Sequence, residues 1–394
     1  MERSPPYSEH VPGKKPGPAP FTQNSANGPG FFARGLVDKS DRRGRGAVSN
    51  HSGRFEAKDR VAIDDGWDLD VEPAPFRTNV VMEKARTIIT RNQSPDISFD
   101  RSINPYQGCE HGCVYCFARP THAYYGLSAG LDFETQLFAK PNAAALLEKE
   151  LAAPGYEPRT IAIGTNTDPY QPIEREHRIT RSILEVLART SHPVGIVTKS
   201  ALILRDLDIL APMAARGLVK VAISVTGLDH KLSRIMEPRA AAPGRRMETI
   251  RALSKAGIPV SVMVAPVIPA INDMEIEKIL AYAKAEGARE AGYILLRLPH
   301  EVRDLFREWL HEHFPDRAAK VMSQMKEMRG GADYDATWGR RMRGIGPYAW
   351  SIGRRFEIAS RREKFNSERL LLRTDLFVPP AISGQQLDFF KQAS

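Results

Sequence analysis

The sequence predicts an α/β fold, specifically a partial (β/α)6 TIM-type barrel. From about residue 97 onward, short apolar runs rich in β-branched residues alternate with helical stretches. This alternation is typical of parallel strands joined by right-handed helical crossovers. Six such units are too few for a closed eight-stranded barrel and sufficient for a partial one. A doubly wound open sheet is the alternative, because strand order cannot be read from one sequence.

The predicted strands are short apolar runs followed by polar residues. The carboxyl ends of parallel strands meet at one edge, and ligands bind there in both architectures. The residues directly after each strand are therefore the candidate site residues. The predicted strands are Ile97–Ile103, Thr160–Gly164, Pro193–Thr198, Val219–Val225, Pro259–Ala265 and Gly292–Leu298.

Helical stretches separate these strands, and their ends carry the expected signals. Gly257 directly follows a periodic stretch and Pro259 comes two residues later, which marks the end of a helix. The predicted helices are Ala143–Leu151, Arg178–Arg189, Leu204–Arg216, Arg245–Ala256, Met274–Ala285 and Val302–His313.

Composition divides the chain into three regions. Residues 1–75 are rich in Pro, Gly, Ser, Asn and charge, which predicts a disordered, basic N-terminal extension. Residues 76–300 form the predicted core barrel. Residues 301–394 are a helical C-terminal extension rich in arginine and aromatic residues, which we expect to cap the barrel.

The net charge of +9 is concentrated at the two ends. Residues 1–60 carry 11 Lys/Arg against 6 Asp/Glu, and residues 337–373 carry 10 against 3. Basic ends attract polyanions such as nucleic acid, while a solvated tail that aids solubility is the alternative. No apolar run is long enough to cross a membrane, and the N-terminus does not read as a secretory signal, so we expect a cytoplasmic protein without membrane contact.

The three cysteines, Cys109, Cys113 and Cys116, fall within eight residues. An odd, clustered trio excludes a disulfide framework and points to metal. The spacing C-x3-C-x2-C follows the first predicted strand, and three thiolates on one loop can hold three irons of a cubane cluster, leaving the fourth iron open to a ligand. A zinc knot with His111 as fourth ligand is the alternative, although no second pair of ligands accompanies it.

This motif, with the aromatic residue Tyr115 before the last cysteine, resembles the signature of the radical S-adenosylmethionine (radical SAM) superfamily. The resemblance implies a [4Fe–4S] cluster on Cys109, Cys113 and Cys116, whose open iron chelates S-adenosylmethionine (SAM). It also implies one-electron cleavage of SAM to a 5′-deoxyadenosyl radical that abstracts hydrogen. A reductant such as flavodoxin or ferredoxin would supply the electron, and the superfamily fold is a partial (β/α)6 barrel.

The resemblance also assigns roles to residues after the other strands. Asn166 and Asp168 match the position of polar groups around the methionine ammonium of SAM. Lys199 matches the position of a residue that pairs with the SAM carboxylate. Ser224 lies where a hydroxyl meets the ribose, and Arg239 could reach the SAM carboxylate or a substrate phosphate. An ordinary turn or a solvated charge is the alternative at each position.

The segments Asn-Pro-Tyr-Gln-Gly-Cys, Gly-Thr-Asn-Thr-Asp-Pro-Tyr-Gln-Pro and Val-Thr-Lys-Ser resemble the branch related to spore photoproduct lyase, often labelled "DNA repair photolyase". This likeness, over about residues 75–375, implies a lyase-type enzyme whose substrate is DNA or a nucleotide. That lyase uses an additional cysteine to return hydrogen to its product radical, and no cysteine remains for this here. Tyr106, Tyr124 and Tyr125 are the candidate hydrogen donors.

Between Trp338 and Phe356, arginines alternate with aromatic residues, a composition suited to stacking on bases and contacting phosphates. A packed cap over the barrel, with arginines outside, is the interpretation we favour, because the segment contains no recognisable nucleic-acid-binding module. Two other functions stay open. One is a radical activase or modifying enzyme acting on protein, and the other is a non-catalytic metal-knot protein that binds nucleic acid.

Overall fold

The computed structural model describes residues 36–56, 76–368 and 370–381. Within these ranges the strands are short, and the parallel strands of the main sheet span three to eight residues each. The strands are β1 (Asn79–Met82), β2 (Ile89–Arg91), β3 (Arg101–Ile103), β4 (Tyr106–Gln107), β5 (Gln136–Ala139), β6 (Ile161–Ile163), β7 (Val194–Thr198), β8 (Val219–Ser224), β9 (Val260–Val267) and β10 (Glu290–Leu295).

Most of the helices in the described ranges connect these strands, and the last three follow the final strand. They are α1 (Asp132–Thr135), α2 (Ala143–Leu151), α3 (Glu174–His177), α4 (Ile179–Arg189), α5 (Leu207–Ala215), α6 (His230–Met236), α7 (Pro243–Lys255), α8 (Ile276–Ala285), α9 (Val302–His313), α10 (Pro315–Glu327) and α11 (Gly346–Arg362). Short 3-10 helices cover Arg119–Tyr125, Ala201–Asp206 and Asp273–Glu275.

The main sheet has the order β10-β9-β8-β7-β6-β3-β2. Strands β3 and β6 to β10 run parallel in chain order, which is the predicted partial barrel, and β2 adds antiparallel to β3. A small sheet of order β1-β5-β4 lies beside it. The main core is one cluster, filled largely by Val, Ile and Leu from the parallel strands and from the helices packed on them.

All six predicted strands are present, with end shifts of a few residues. The first is shorter than predicted, because residues 97–100 belong to the loop between β2 and β3. The side chain and backbone of Asn92 bind Phe99 and Asp100 there, so local polar contacts outweigh the apolar pattern. The predicted helices α2 and α9 have the observed bounds. The stretch from Leu204 instead begins as a 3-10 helix before α5.

The structure differs from the predicted disordered extension at residues 36–56, the N-terminal segment. This segment packs on the body, with Ala47 and Val48 buried. Its Leu36 forms an isolated bridge with Ser49. Residues 1–35 and 57–75, the rest of the predicted extension, lie outside the described residues.

The C-terminal region packs as helices α9, α10 and α11, as predicted. Between α10 and α11, the seam segment (residues 333–345) connects the two edges of the main sheet. Its Met342 carbonyl accepts a hydrogen bond from the backbone N–H of Leu295 in β10. Arg341 pairs with Asp96 in the loop after β2, at 2.5 Å. Within the described ranges, none of these helices combines the length and apolar character that crossing a bilayer requires.

Candidate active site

The cysteine loop (residues 108–117) follows β4 at the carboxyl edge of the parallel strands. Cys109 and Cys113 are buried and Cys116 is partly buried. Gly108 and Gly112 adopt φ values of +75° and +65°, and a Cβ at Gly112 would come within 2.7 Å of a carboxylate oxygen of Glu134. Because L side chains rarely adopt these conformations, glycine permits the tight turns that place all three sulfurs on one loop.

Burial raises the pKa of each cysteine thiol. Lys199 opposes this rise at Cys113, and both Arg119 and Lys199 oppose it at Cys116. Two buried thiols and one partly buried thiol with nearby cations fit a metal centre, because metal coordination deprotonates thiols that burial would otherwise keep neutral.

A single zinc ion fits this loop less well. In the described part of the chain, which includes all the cysteines, no three His, Cys, Asp or Glu side chains lie close enough to hold one metal ion. In a cubane cluster each cysteine binds a different iron, so the sulfurs need not converge on one point. His111, the proposed fourth zinc ligand, lies with its Nδ1 3.3 Å from Asp168 Oδ2, at ion-pair distance but without hydrogen-bond geometry.

The segment after β6 contacts the cysteine loop through hydrogen bonds. Thr167 Oγ1 donates to the carbonyl of Tyr106 at 2.8 Å. Gln171 donates to the Gly108 carbonyl at 3.1 Å and accepts from the Glu110 N–H at 2.9 Å. The Asn166 backbone N–H donates to Asn104 Oδ1 at 3.2 Å. The turn that the sequence singled out therefore fixes the position of the cysteine loop.

Asp168 links three elements at this edge. Its carboxylate accepts from Thr198 Oγ1 at 2.7 Å, from the Lys199 N–H at 2.8 Å and from the Tyr170 N–H at 2.9 Å. Burial would raise the pKa of Asp168, but His111, the Thr198 hydroxyl and the Lys199 N–H lower it to about 2. Both oxygens are thus engaged within the protein, and the predicted contact of Asp168 with a bound ammonium stays a prediction.

Lys199 presents its side-chain amine at the same edge. Its Nζ lies 5.8 Å from the ring centroid of Tyr115, which is a cation–π distance. No carboxylate among the described residues pairs with this amine in an ion pair. An amine placed beside the cysteine loop without such a partner can bind an anionic group of a ligand.

Tyr115 belongs to a buried polar network. Its hydroxyl donates to Glu237, which also accepts from Thr226 Oγ1 at 2.5 Å and pairs with Arg246. Burial raises the pKa of Glu237, and Arg246 opposes that rise. Arg246 also donates to the Ser224 carbonyl at 3.0 Å. Ser224 and Tyr115 are therefore brought together at the end of β8, through a carboxylate that the sequence analysis missed.

Arg239 lies against the cysteine loop, as expected, but its partner is internal. Its guanidinium pairs with Glu110 at 3.2 Å, and its backbone N–H donates to the His111 carbonyl at 3.3 Å. Glu110 also accepts from Thr78 Oγ1 at 2.5 Å. The side chain of Arg239 is still 37% exposed, so a ligand can reach it.

The N-terminal segment covers the cysteine loop, which the sequence analysis did not predict. Glu134, which is fully buried, accepts from the backbone N–H groups of Gly46 and Ala47 at 2.9 and 2.8 Å. It also pairs with the buried Arg119 at 2.5 Å. A Cβ at Gly46 would lie 1.8 Å from the Gly112 carbonyl oxygen, so only glycine allows this approach. The Arg-Gly-Arg-Gly run at 43–46 was the available signal.

The candidate hydrogen donors lie in different places. Tyr106 is fully buried, and its hydroxyl donates to Glu174, so it faces the core and not an open site. Tyr124 is 73% exposed, while Tyr125 stacks on Phe138 with ring centroids 4.4 Å apart. The structure does not bring the three tyrosines together.

A further aromatic and cationic pair lies next to the cysteine loop. Phe117, directly after Cys116, is 43% exposed. The guanidinium carbon of Arg297, just past β10, lies 4.9 Å from its ring centroid. Arg297 also donates to the Tyr334 hydroxyl at 3.2 Å. These residues went unnoticed because a lone arginine after a strand carries no distinctive pattern.

The part of the chain that contains the cysteine loop matches a protein-family model. Residues 103–283 match the model described as the radical SAM superfamily. The chain is therefore similar to the radical SAM superfamily over these residues, which include the cysteine loop.

The chain is similar to curated proteins of bacteria and archaea. It is 38% identical over 226 residues to an uncharacterized protein of Mycobacterium tuberculosis (strain ATCC 25618 / H37Rv), which covers 57% of this chain and 66% of that protein. The match thus spans just under two thirds of that relative's length. An uncharacterized protein of Methanocaldococcus jannaschii is 25% identical over 199 residues, or 50% of this chain and 71% of that protein.

Solved structures of spore photoproduct lyase share the fold. The lyase complexed with dinucleoside spore photoproduct is superposed with a TM-score of 0.50 at 15% identity, covering 72% of this chain and 79% of the lyase. A single-residue variant of the lyase gives a TM-score of 0.51 at 16% identity, with the same coverage. At these identities the likeness is one of fold.

Proposed function

We propose that this chain binds a [4Fe–4S] cluster through Cys109, Cys113 and Cys116 and uses it to cleave SAM and abstract hydrogen from a DNA or nucleotide substrate. The observation that carries the proposal is the placement of these cysteines on one buried loop at the carboxyl edge of the parallel strands. When bound, the cluster supplies the electron that converts SAM to methionine and a hydrogen-abstracting 5′-deoxyadenosyl radical.

The chain's own residues then bind and orient SAM. Lys199 is the proposed partner of the SAM carboxylate, because its amine lies beside the loop and pairs with no carboxylate of the described chain. Asn166, which follows β6, is proposed to contact the ammonium group of SAM. Ser224, the last residue of β8, is proposed to contact its ribose. Tyr115 is proposed to line the same site, while Asp168 and Arg239 act near it through the loop contacts described above.

Arg297 and Phe117 support an anionic substrate near the cysteine loop. A guanidinium stacked on an exposed ring offers both a charge for a phosphate and a flat surface for a base. The full chain has three cysteines, all assigned to the cluster, so no further thiol of this chain is left to return hydrogen to a product radical. The reductant is proposed to be a flavodoxin or ferredoxin.

The proposal is tested by anaerobic reconstitution with iron and sulfide, followed by dithionite and SAM. We expect brown, iron-loaded protein that forms 5′-deoxyadenosine, and loss of both in Cys113→Ala. Tyr282→Phe, a change on an exposed ring of α8 to which no role is assigned, is the matched control and should leave both unchanged. Zinc-loaded, colourless protein, or an intact cluster that never cleaves SAM, would overturn the proposal.

A further inference from the structure

An open groove of about 990 Å³ lies between β10 and α11. The described residues that line it include none from the cysteine loop. Its base is aromatic, since Tyr293 and Phe356 lie with ring centroids 4.7 Å apart. The groove is therefore a second concave surface, separate from the site proposed for SAM.

The edge of this groove carries an excess of positive charge. Arg343, Arg354 and Arg361 line it together with a single carboxylate, Glu357. Arg354 and Arg361 both pair with Glu357, at 2.6 and 2.5 Å, while Arg343 lies with its guanidinium carbon 4.9 Å from the ring centroid of Tyr293. Two of the three arginines thus share one acidic partner in the free protein.

The start of α11 adds to this positive potential. Residues 344–346 line the groove where α11 begins. The first turn of α11 contains no acidic residue, and no side chain caps it. The helix dipole therefore reinforces the charge of Arg343 at this end of the groove.

Trp350 is the exposed aromatic surface of the groove. It is 68% exposed and lies one turn into α11. Most of its ring is therefore in contact with water in the free protein and is available to pack against a ligand. From Trp350 to Arg361 the helix extends ~16 Å at its ordinary rise per residue. An aromatic ring followed by arginines along one helix face suits a chain of stacked bases and phosphates.

We propose that this groove binds single-stranded nucleic acid, with a base stacked on Trp350 and phosphates on Arg343, Arg354 and the start of α11. A single strand is favoured over a duplex because only unpaired bases expose a face to Trp350. The inference rests on the proposed function, in which the substrate is DNA or a nucleotide. The groove would hold the strand while another part of it reaches the cysteine loop.

The test is fluorescence anisotropy of a labelled oligothymidylate of about 20 nucleotides, with full-length reconstituted protein and increasing salt. Trp350→Ala should weaken binding about tenfold, because stacking is lost. Arg343→Ala should reduce the slope of log affinity against log salt by about 0.7, the value for one phosphate contact on a single strand. Glu357→Gln should tighten binding several-fold, because it frees Arg354 and Arg361.

Trp338→Ala is the matched control, since Trp338 is 58% exposed and does not line the groove. Equal losses in Trp338→Ala and Trp350→Ala, or no tightening in Glu357→Gln, would overturn the inference. Formation of 5′-deoxyadenosine is measured for each variant without oligonucleotide and should be unchanged by these substitutions. If the protein binds the oligonucleotide but does not cleave SAM, only the proposed chemistry is rejected. If it cleaves SAM but does not bind the oligonucleotide, only the proposed binding in the groove is rejected.

Discussion

Glu134 offers a direct test of how the N-terminal segment is attached over the cysteine loop. Glu134 and Arg119 are both fully buried and form an ion pair at 2.5 Å. Replacing Glu134 with Gln removes the negative charge and leaves Arg119 as an uncompensated buried cation. Breaking a buried pair in this way costs about 3–5 kcal/mol.

The lower end of this range is expected, because Arg119 keeps other partners. It donates to the carbonyls of Cys113, Ala129 and Gly130 at 2.9 to 3.0 Å. Glutamine also retains one oxygen that can accept a hydrogen bond from the N-terminal segment. We therefore expect Glu134→Gln to lower the free energy of unfolding by about 3 kcal/mol.

Urea denaturation measures this change, and the same substitution at an exposed pair provides the control. Glu248 pairs with Arg245 at 2.7 Å, with both side chains more than half exposed. Glu248→Gln should change the free energy of unfolding by less than about 1 kcal/mol. Hydrogen exchange at residues 45–48 should also accelerate only in Glu134→Gln. Equal effects of the two variants would refute the argument from burial.

Two further outcomes are expected. Lys199→Met should raise the SAM concentration for half-maximal 5′-deoxyadenosine formation about tenfold or more, since a charge-assisted hydrogen bond is lost. The substitution Lys231→Met, at an exposed lysine, should leave this SAM concentration unchanged. Equal SAM concentrations for the two variants would show that Lys199 does not contact SAM. Burial lowers the pKa of His192 from 6.5 to about 4 despite the nearby Pro193 carbonyl. The unfolded chain then binds this proton at higher pH than the folded chain, so this contribution to stability is complete above pH 6.5. It falls by about 3 kcal/mol as the pH drops to about 4. Urea denaturation near neutral pH and again near pH 4 should show this loss, and His192→Gln should lack it. A retained loss in the variant would assign the acid sensitivity to another group.

The core of the fold could be predicted because its strands are rich in Val and Ile. In β7 and β8 buried residues largely alternate with partly buried ones, and the ends of both strands agreed with the sequence to within a residue or so. The loop between β2 and β3 was missed because the side chain of Asn92 fixes it, and a single asparagine gives no periodic signal. Short strands such as β4 likewise depend on pairing with β5 and not on their own two residues.

The position of the candidate site could be predicted from the sequence, but the hydrogen-bond and ion-pair partners of its residues could not. Strand order places Asp168 and Lys199 beside the cysteine loop, as expected for residues that follow parallel strands. The partners of these residues are distant in sequence, so the pairing of Arg239 with Glu110 could not be read. The N-terminal segment was missed for the same reason, because it is held by backbone N–H groups that any sequence provides.

The two edges of the main sheet leave few backbone groups free for pairing with another chain. An edge strand exposes backbone groups that another chain can pair with. At β10, the side chain of Asn366 bonds both the N–H and the carbonyl of Ala291, and Met342 occupies the N–H of Leu295. At the other edge, β2 is only three residues long and ends in Arg91. Two such chains therefore offer each other little free backbone for intermolecular strand pairing at these two edges.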